Sequence, residues 1–145
     1  MKLSTKSRYG LRVLLQIAAD SAENRVVPGH KLAEKQAISE PYLEQIMIPL
    51  KNSGIVSTVR GCRGGYRLNR PAAAISVLDI IELFEGEFGL VKCRDGQHVC
   101  ARRDHCVAAR VWQELSGALR EKARSINIAA LAEEEKKYHQ PEFII

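Results

Sequence analysis

Cys93, Cys100 and Cys106 fall within fourteen residues, separated by six residues and then five. Thiolates are soft ligands, so three of them on one loop suit zinc, copper(I) or an iron-sulfur cluster. The same thiols can also switch by oxidation, or be incidental. Paired C-x-x-C ligands are absent, which excludes a standard zinc ribbon, although the three cysteines and one histidine would still complete a zinc site. His98 and His105 lie inside the same stretch and are possible ligands. Cys62 stands apart among glycines and reads as a small residue of a turn. His30 and His139 read as a surface residue and part of a polar tail.

A second set of residues suits a polyanion. Residues 1–70 hold twelve Lys or Arg against five Asp or Glu, whereas residues 71–145 hold ten against twelve. The net +5 is therefore concentrated in the first half. A basic half-chain favours nucleic acid, because phosphate contacts release condensed counterions. Within that half, Arg60, Arg63 and Arg67 flank Gly61-Cys62-Arg63-Gly64-Gly65. An arginine-flanked glycine turn can enter a minor groove without steric penalty.

These residues need elements to position them. Ser4 or Thr5 can cap a helix to about Asp20, with Leu11, Leu14, Leu15 and Ala18 at helical spacing. A short helix over His30–Lys35, a tight turn and a third helix from near Ser39 make a helix-turn-helix pattern. Leu43, Ile46, Met47 and Leu50 form the inward face of that third helix, leaving Tyr42, Glu44 and Gln45 near its exposed N-terminal end. Pro49 is expected to kink or loosen its last turn. The β-prone runs Ile55–Val59 and Tyr66–Leu68 around the glycines predict a hairpin, or wing. Ser76 and Asp79 resemble a capping box for a helix to about Phe84. Residues 86–106 show no period, and a loop of that length in a small domain points to function or disorder. From Val107 an amphipathic helix returns, with Val107, Val111, Trp112, Leu115 and Leu119 on one side. Asn127 can cap a last short helix before a charged tail.

The expected fold is mainly α with a small β-hairpin. A winged helix-turn-helix domain occupies 1–75, a connecting helix and cysteine-rich loop 76–106, and a dimerisation helix, short terminal helix and tail 107–145. At 46% hydrophobic and 27% charged, the 145 residues are ordinary for a globular chain. No apolar run approaches the roughly 20 residues that span a bilayer, and no signal-peptide pattern precedes the first helix. A cytoplasmic protein without a membrane partner is expected. Phosphate-loop, dinucleotide, H-E-x-x-H and nucleophile-elbow motifs are all absent, so no enzyme is expected.

Four segments together resemble one family. They are Met1-Lys2-Leu3-Ser4-Thr5-Lys6-Ser7-Arg8-Tyr9-Gly10, Ile38-Ser39-Glu40-Pro41-Tyr42-Leu43-Glu44-Gln45, Val59-Arg60-Gly61-Cys62-Arg63-Gly64-Gly65-Tyr66 and the three-cysteine loop. Their types and order are similar to the Rrf2 family of bacterial winged-helix transcription regulators, over Met1 to about Glu135. The resemblance implies a homodimer held by a long helix from each subunit, bound to a pseudo-palindromic operator in double-stranded DNA. It implies Tyr42, Glu44 and Gln45 as recognition-helix positions and Arg60 as the wing arginine, with Arg63 beside it. Pro41 departs from the serine of the iron-sulfur-assembly regulators of the family, which bears on base preference. The resemblance further implies Cys93, Cys100 and Cys106 as ligands of an iron-sulfur cluster, 2Fe-2S ahead of 4Fe-4S. The fourth ligand departs from the family, since Ala109 stands where cluster-binding members carry a histidine, and Arg8 where others carry an acid. His105 or His98 is the expected substitute, ahead of Asp95 and Asp104. The alternative is a DNA-binding regulator without a cluster, switching through thiol chemistry or zinc.

Overall fold

Hydrophobic spacing of helical period is realised as six α-helices in a computed structural model, which describes residues 2–20, 25–91, 100–102 and 105–139. Helix α1 spans Thr5–Asp20 and begins where the Ser4 hydroxyl accepts from the Ser7 N–H at 3.2 Å. Its buried face is centred on Val13, Leu14 and Ile17, with Leu11, Leu15 and Ala18 only partly covered. Helix α2 (Gly29–Gln36) ends at Ala37, whose left-handed φ of 52° reverses the chain. The Ala37 and Ile38 N–H groups close that turn on the Glu34 and Ala33 carbonyls, each at 3.0 Å. Helix α3 (Glu40–Asn52) follows at once. Ser39 caps it by accepting from the Tyr42 N–H, and Pro41 sits in the first turn, where its missing N–H costs nothing. Helix α3 carries Pro49 in its interior and continues to Asn52, and the Ser53 N–H reaches the Pro49 carbonyl at 2.9 Å.

Strands β1 (Val56–Val59) and β2 (Gly65–Leu68) pair antiparallel, from Val56 opposite Leu68 to Val59 opposite Gly65. Val27 adds a third rung by exchanging two 2.8 Å backbone bonds with Tyr66. After a 3-10 turn at Ala72–Ala74, α4 (Val77–Glu85) starts at a complete capping box of Ser76 and Asp79. Helix α5 covers Val107–Ser125, and α6 (Ile128–His139) is capped by Asn127, which accepts from the Ala130 N–H at 2.9 Å.

The main core packs α1, α2, α3, the base of the hairpin, Ile75, Ile80 and Ile128. A smaller cluster of Leu78, Phe88 and Ala123 joins α4 to α5. The architecture is the winged helix-turn-helix of the sequence reading, followed by a long helix. Among the described residues, no helix is long and apolar enough to cross a membrane.

Candidate DNA interface and cysteine loop

Capping and burial orient α3. With Leu43, Ile46, Met47 and Leu50 sunk in the core, Glu44 and Gln45 are left exposed one turn after the cap. Tyr42 differs from them in being half-buried. Its ring meets Tyr9 of α1 edge-on, with centroids 5.9 Å apart and planes at 88°. The Arg12 guanidinium in turn lies 5.0 Å from the centre of the Tyr9 ring. Thus α1 braces the start of α3 through an aromatic contact. Tyr9 and Arg12 escaped the sequence reading because residues 33 positions apart leave no periodic signal.

The hairpin is anchored against the same region. Tyr66, opposite Thr58 in the second pair from the hairpin turn, has its phenol pushed up by burial and, secondarily, by the charge of Glu44. Gly65 has φ of +155°, and a Cβ there would lie 2.2 Å from the Val27 carbonyl oxygen, so only glycine lets Val27 dock. At the tip, Gly61 has φ of +117° and the Gly64 N–H donates to the Gly61 carbonyl at 2.9 Å. Arg60, Cys62 and Arg63 are exposed beside this turn. Neither Arg60 nor Arg63 forms an ion pair among the described residues, leaving both guanidinium groups available to phosphate or a groove. Arg67 is committed elsewhere, since its Nε donates across the strands to the Ser57 hydroxyl at 3.2 Å.

Of the expected metal-binding residues, Cys100, His105 and Cys106 are described, while Cys93, His98, Asp95 and Asp104 lie outside the described residues. Cys100 and His105 are exposed, and Cys106 is partly buried as the N-cap of α5, its Sγ accepting from the Ala109 N–H at 3.4 Å. This sulfur faces the positive end of a 19-residue helix, where a thiolate ligand is favoured. Ala109 is buried against the fold, so the family's histidine position is occupied by packing. Among the described residues, no three candidate ligands converge.

Both ends of the cysteine loop are fixed to α5. At its start the Leu90 N–H donates to the Ser116 hydroxyl at 3.0 Å, and Arg120 reaches both the Phe88 carbonyl and, at 2.5 Å, the Glu82 carboxylate. At its end Cys106 caps the same helix. Just before the loop, the Glu85 carboxylate of α4 accepts from the Ser4 N–H at 2.8 Å and from the Ser7 hydroxyl, which holds its pKa below the usual carboxylate value. The loop is therefore preceded by ties to both α5 and the start of α1, and followed by its tie to α5 at Cys106. Along α5, only Ala109 and Ala123 are buried, while Val107, Val111, Trp112, Leu115 and Leu119 are 41–68% exposed.

Residues 3–134 match the model of the Rrf2 family, described as iron-dependent transcriptional regulators. The chain is 34% identical over 136 residues to the transcriptional regulator IscR of Xenorhabdus nematophila, covering 94% of this chain and 82% of that one. Its backbone is similar to that of CymR, the global cysteine regulator of B. subtilis, with a TM-score of 0.78 and 33% identity over 97% of this chain and 99% of that one. It is also similar to T. potens IscR, with a TM-score of 0.75 and 31% identity over 97% and 92% of the two chains.

Proposed function

Because this chain belongs to the Rrf2 family of transcription regulators, we propose that it acts as a homodimeric DNA-binding regulator whose cysteine loop holds an iron-sulfur cluster. One observation carries the DNA reading. The exposed start of α3 and the wing arginines, which form no ion pair among the described residues, flank one packed unit in which Tyr66 of β2 and Leu43 of α3 both lie against Gly29, so one duplex can be gripped by both. Gln45 suits the N6/N7 edge of adenine, and Glu44 can accept from cytosine N4 while repelling phosphate. Arg60 would enter the minor groove and Arg63 would contact backbone. Tyr42, held by Tyr9, positions the helix end.

The uncovered apolar stripe of α5 supports pairing with the same stripe of a second copy, which buries Trp112 and Leu115 and sets two reading heads on one twofold axis. Cys93, Cys100 and Cys106 would hold the cluster, 2Fe-2S in preference to 4Fe-4S, with His105 or His98 as fourth ligand. The cluster supplies sensitivity to iron supply and to oxidants. The soft donor set fits it, and Cys106 joins the loop covalently to the dimer helix. Ordering or loosening of the loop then acts on α5 through Ser116, Arg120 and Cys106, and on α1 through Glu85. Such a shift of population would change the spacing of the two α3 helices.

A second reading keeps the DNA binding but places thiol chemistry or zinc in the loop. Exposed Cys100 and the likeness to a cysteine regulator favour it. Selection from random duplexes with anaerobic protein tests the proposal. The expected product is a pseudo-palindrome with half-sites about one helical turn apart. Failure to enrich any sequence over bulk DNA would overturn it.

A further inference from the structure

Between α1, α2 and the end of α6 lies a cleft of about 710 Å³, lined by no hairpin residue among those described. Its walls include Arg12, Lys35 paired with Asp20 at 3.1 Å, Lys136 paired with Glu133 at 2.7 Å, the acid Glu135 and the amides Gln16 and Gln36. Gln36 is only 7% exposed, and its Oε1 is buried with no hydrogen-bond partner. The neighbouring groups dictate that orphan. A carboxylate only accepts, so Gln16 must present its amide nitrogen to Asp20, which it does at 2.7 Å. The Gln16 oxygen is thereby turned to the Gln36 nitrogen, and the Gln36 oxygen is left over. At 3.4 Å the Gln36–Gln16 bond is the weak link, the one that yields when a donor enters.

The unmet acceptor calls for an N–H or O–H donor. A simple anion offers none, and a polyamine would leave the Lys35 ammonium without the Asp20 carboxylate it pairs with. A molecule carrying both an ammonium and a carboxylate can insert into that ion pair, its ammonium toward Gln36 and Asp20 and its carboxylate toward Lys35. The volume lies in the range of small-molecule sites and leaves room for a side chain. We propose that this cleft is an effector site for a free amino acid. Gln36 is the last residue of α2, and Ala37, Ile38 and Ser39 make the turn into α3, so occupancy is relayed to the reading helix across three residues. That relay, unlike the binding itself, rests on the DNA-binding reading above.

Calorimetric titration of the full chain with each of the twenty L-amino acids tests the site, with putrescine and citrate as controls that carry charge of one sign only. At least one amino acid binds saturably and the controls do not. Gln36→Leu removes the orphan acceptor while keeping volume, so affinity falls about tenfold or more with the thermal midpoint unchanged or raised. Absence of saturable binding by every amino acid, equal binding by the controls, or undiminished binding by a folded Gln36→Leu protein would overturn the site. If the amino acid binds, operator affinity changes in its presence; an unchanged affinity overturns the relay alone. Binding of the amino acid by a protein that grips no DNA would leave the site standing and sink the DNA-binding reading.

Discussion

Arg60 stands exposed at the end of β1 without a carboxylate partner among the described residues, so its truncation removes no described contact of the fold. Arg60→Ala should leave the melting temperature within experimental scatter and weaken DNA binding. The slope of log affinity against log salt should fall by about one. Anisotropy titrations at several salt concentrations check this, and an unchanged slope would remove Arg60 from the interface. Glu85 behaves differently, because its carboxylate is tied to Ser4 and Ser7 and its pKa lies below the ordinary 4.5. A depressed carboxylate contributes stability above its unfolded value, and that contribution is lost as pH falls through the folded one. Wild type should therefore melt above Glu85→Gln at neutral pH, with the gap closing below 4.5. A gap independent of pH would show that the carboxylate charge is not what holds the clasp. The arginines were legible in the sequence, since exposed charge beside glycine is a local signal. The Ser4–Glu85 tie spans 81 positions and was not, because two polar residues so far apart carry no pattern.

Capping chemistry made the elements readable. Ser39, Ser76 with Asp79, and Asn127 all cap the helices expected of them, because a cap is a hydrogen bond across three residues and is written locally. Ser76→Ala should cost about 1 kcal/mol of unfolding free energy, measurable by denaturant titration. The hairpin was legible from its glycines, whereas Val27 as its third rung was not, since one valine in a loop does not announce a pairing 39 residues away. Gly65→Ala pushes a Cβ into the Val27 carbonyl. DNA affinity should fall more than in Arg60→Ala, with a lower melting temperature as well. Retention of both would show that the wing does not depend on this docking. Pro49, expected to kink or loosen the last turn of α3, does not end it, and the helix runs on to Asn52.

At the scale of the whole molecule, the solvent-facing stripe on α5 asks for a partner. An apolar surface this continuous is costly in an isolated chain. Leu115→Glu should convert a sedimenting dimer into a monomer and abolish binding to a two-half-site operator, while a stable dimer would place the interface elsewhere. The long helix was legible from its period, but periodicity cannot say whether a stripe packs inward or outward; the structure leaves it outward. Fixation of both loop ends to this helix would, in the proposed dimer, link whatever the cysteines hold to the spacing of the two α3 helices. The central claim is that they hold an iron-sulfur cluster, and iron and acid-labile sulfide content with the visible spectrum of anaerobically purified protein tests it most directly. Iron and sulfide in equal amounts, about two of each per chain for a 2Fe-2S cluster, with charge-transfer absorption lost in Cys106→Ser, is the predicted result. Colourless protein that takes up no iron or sulfide on reconstitution would contradict it.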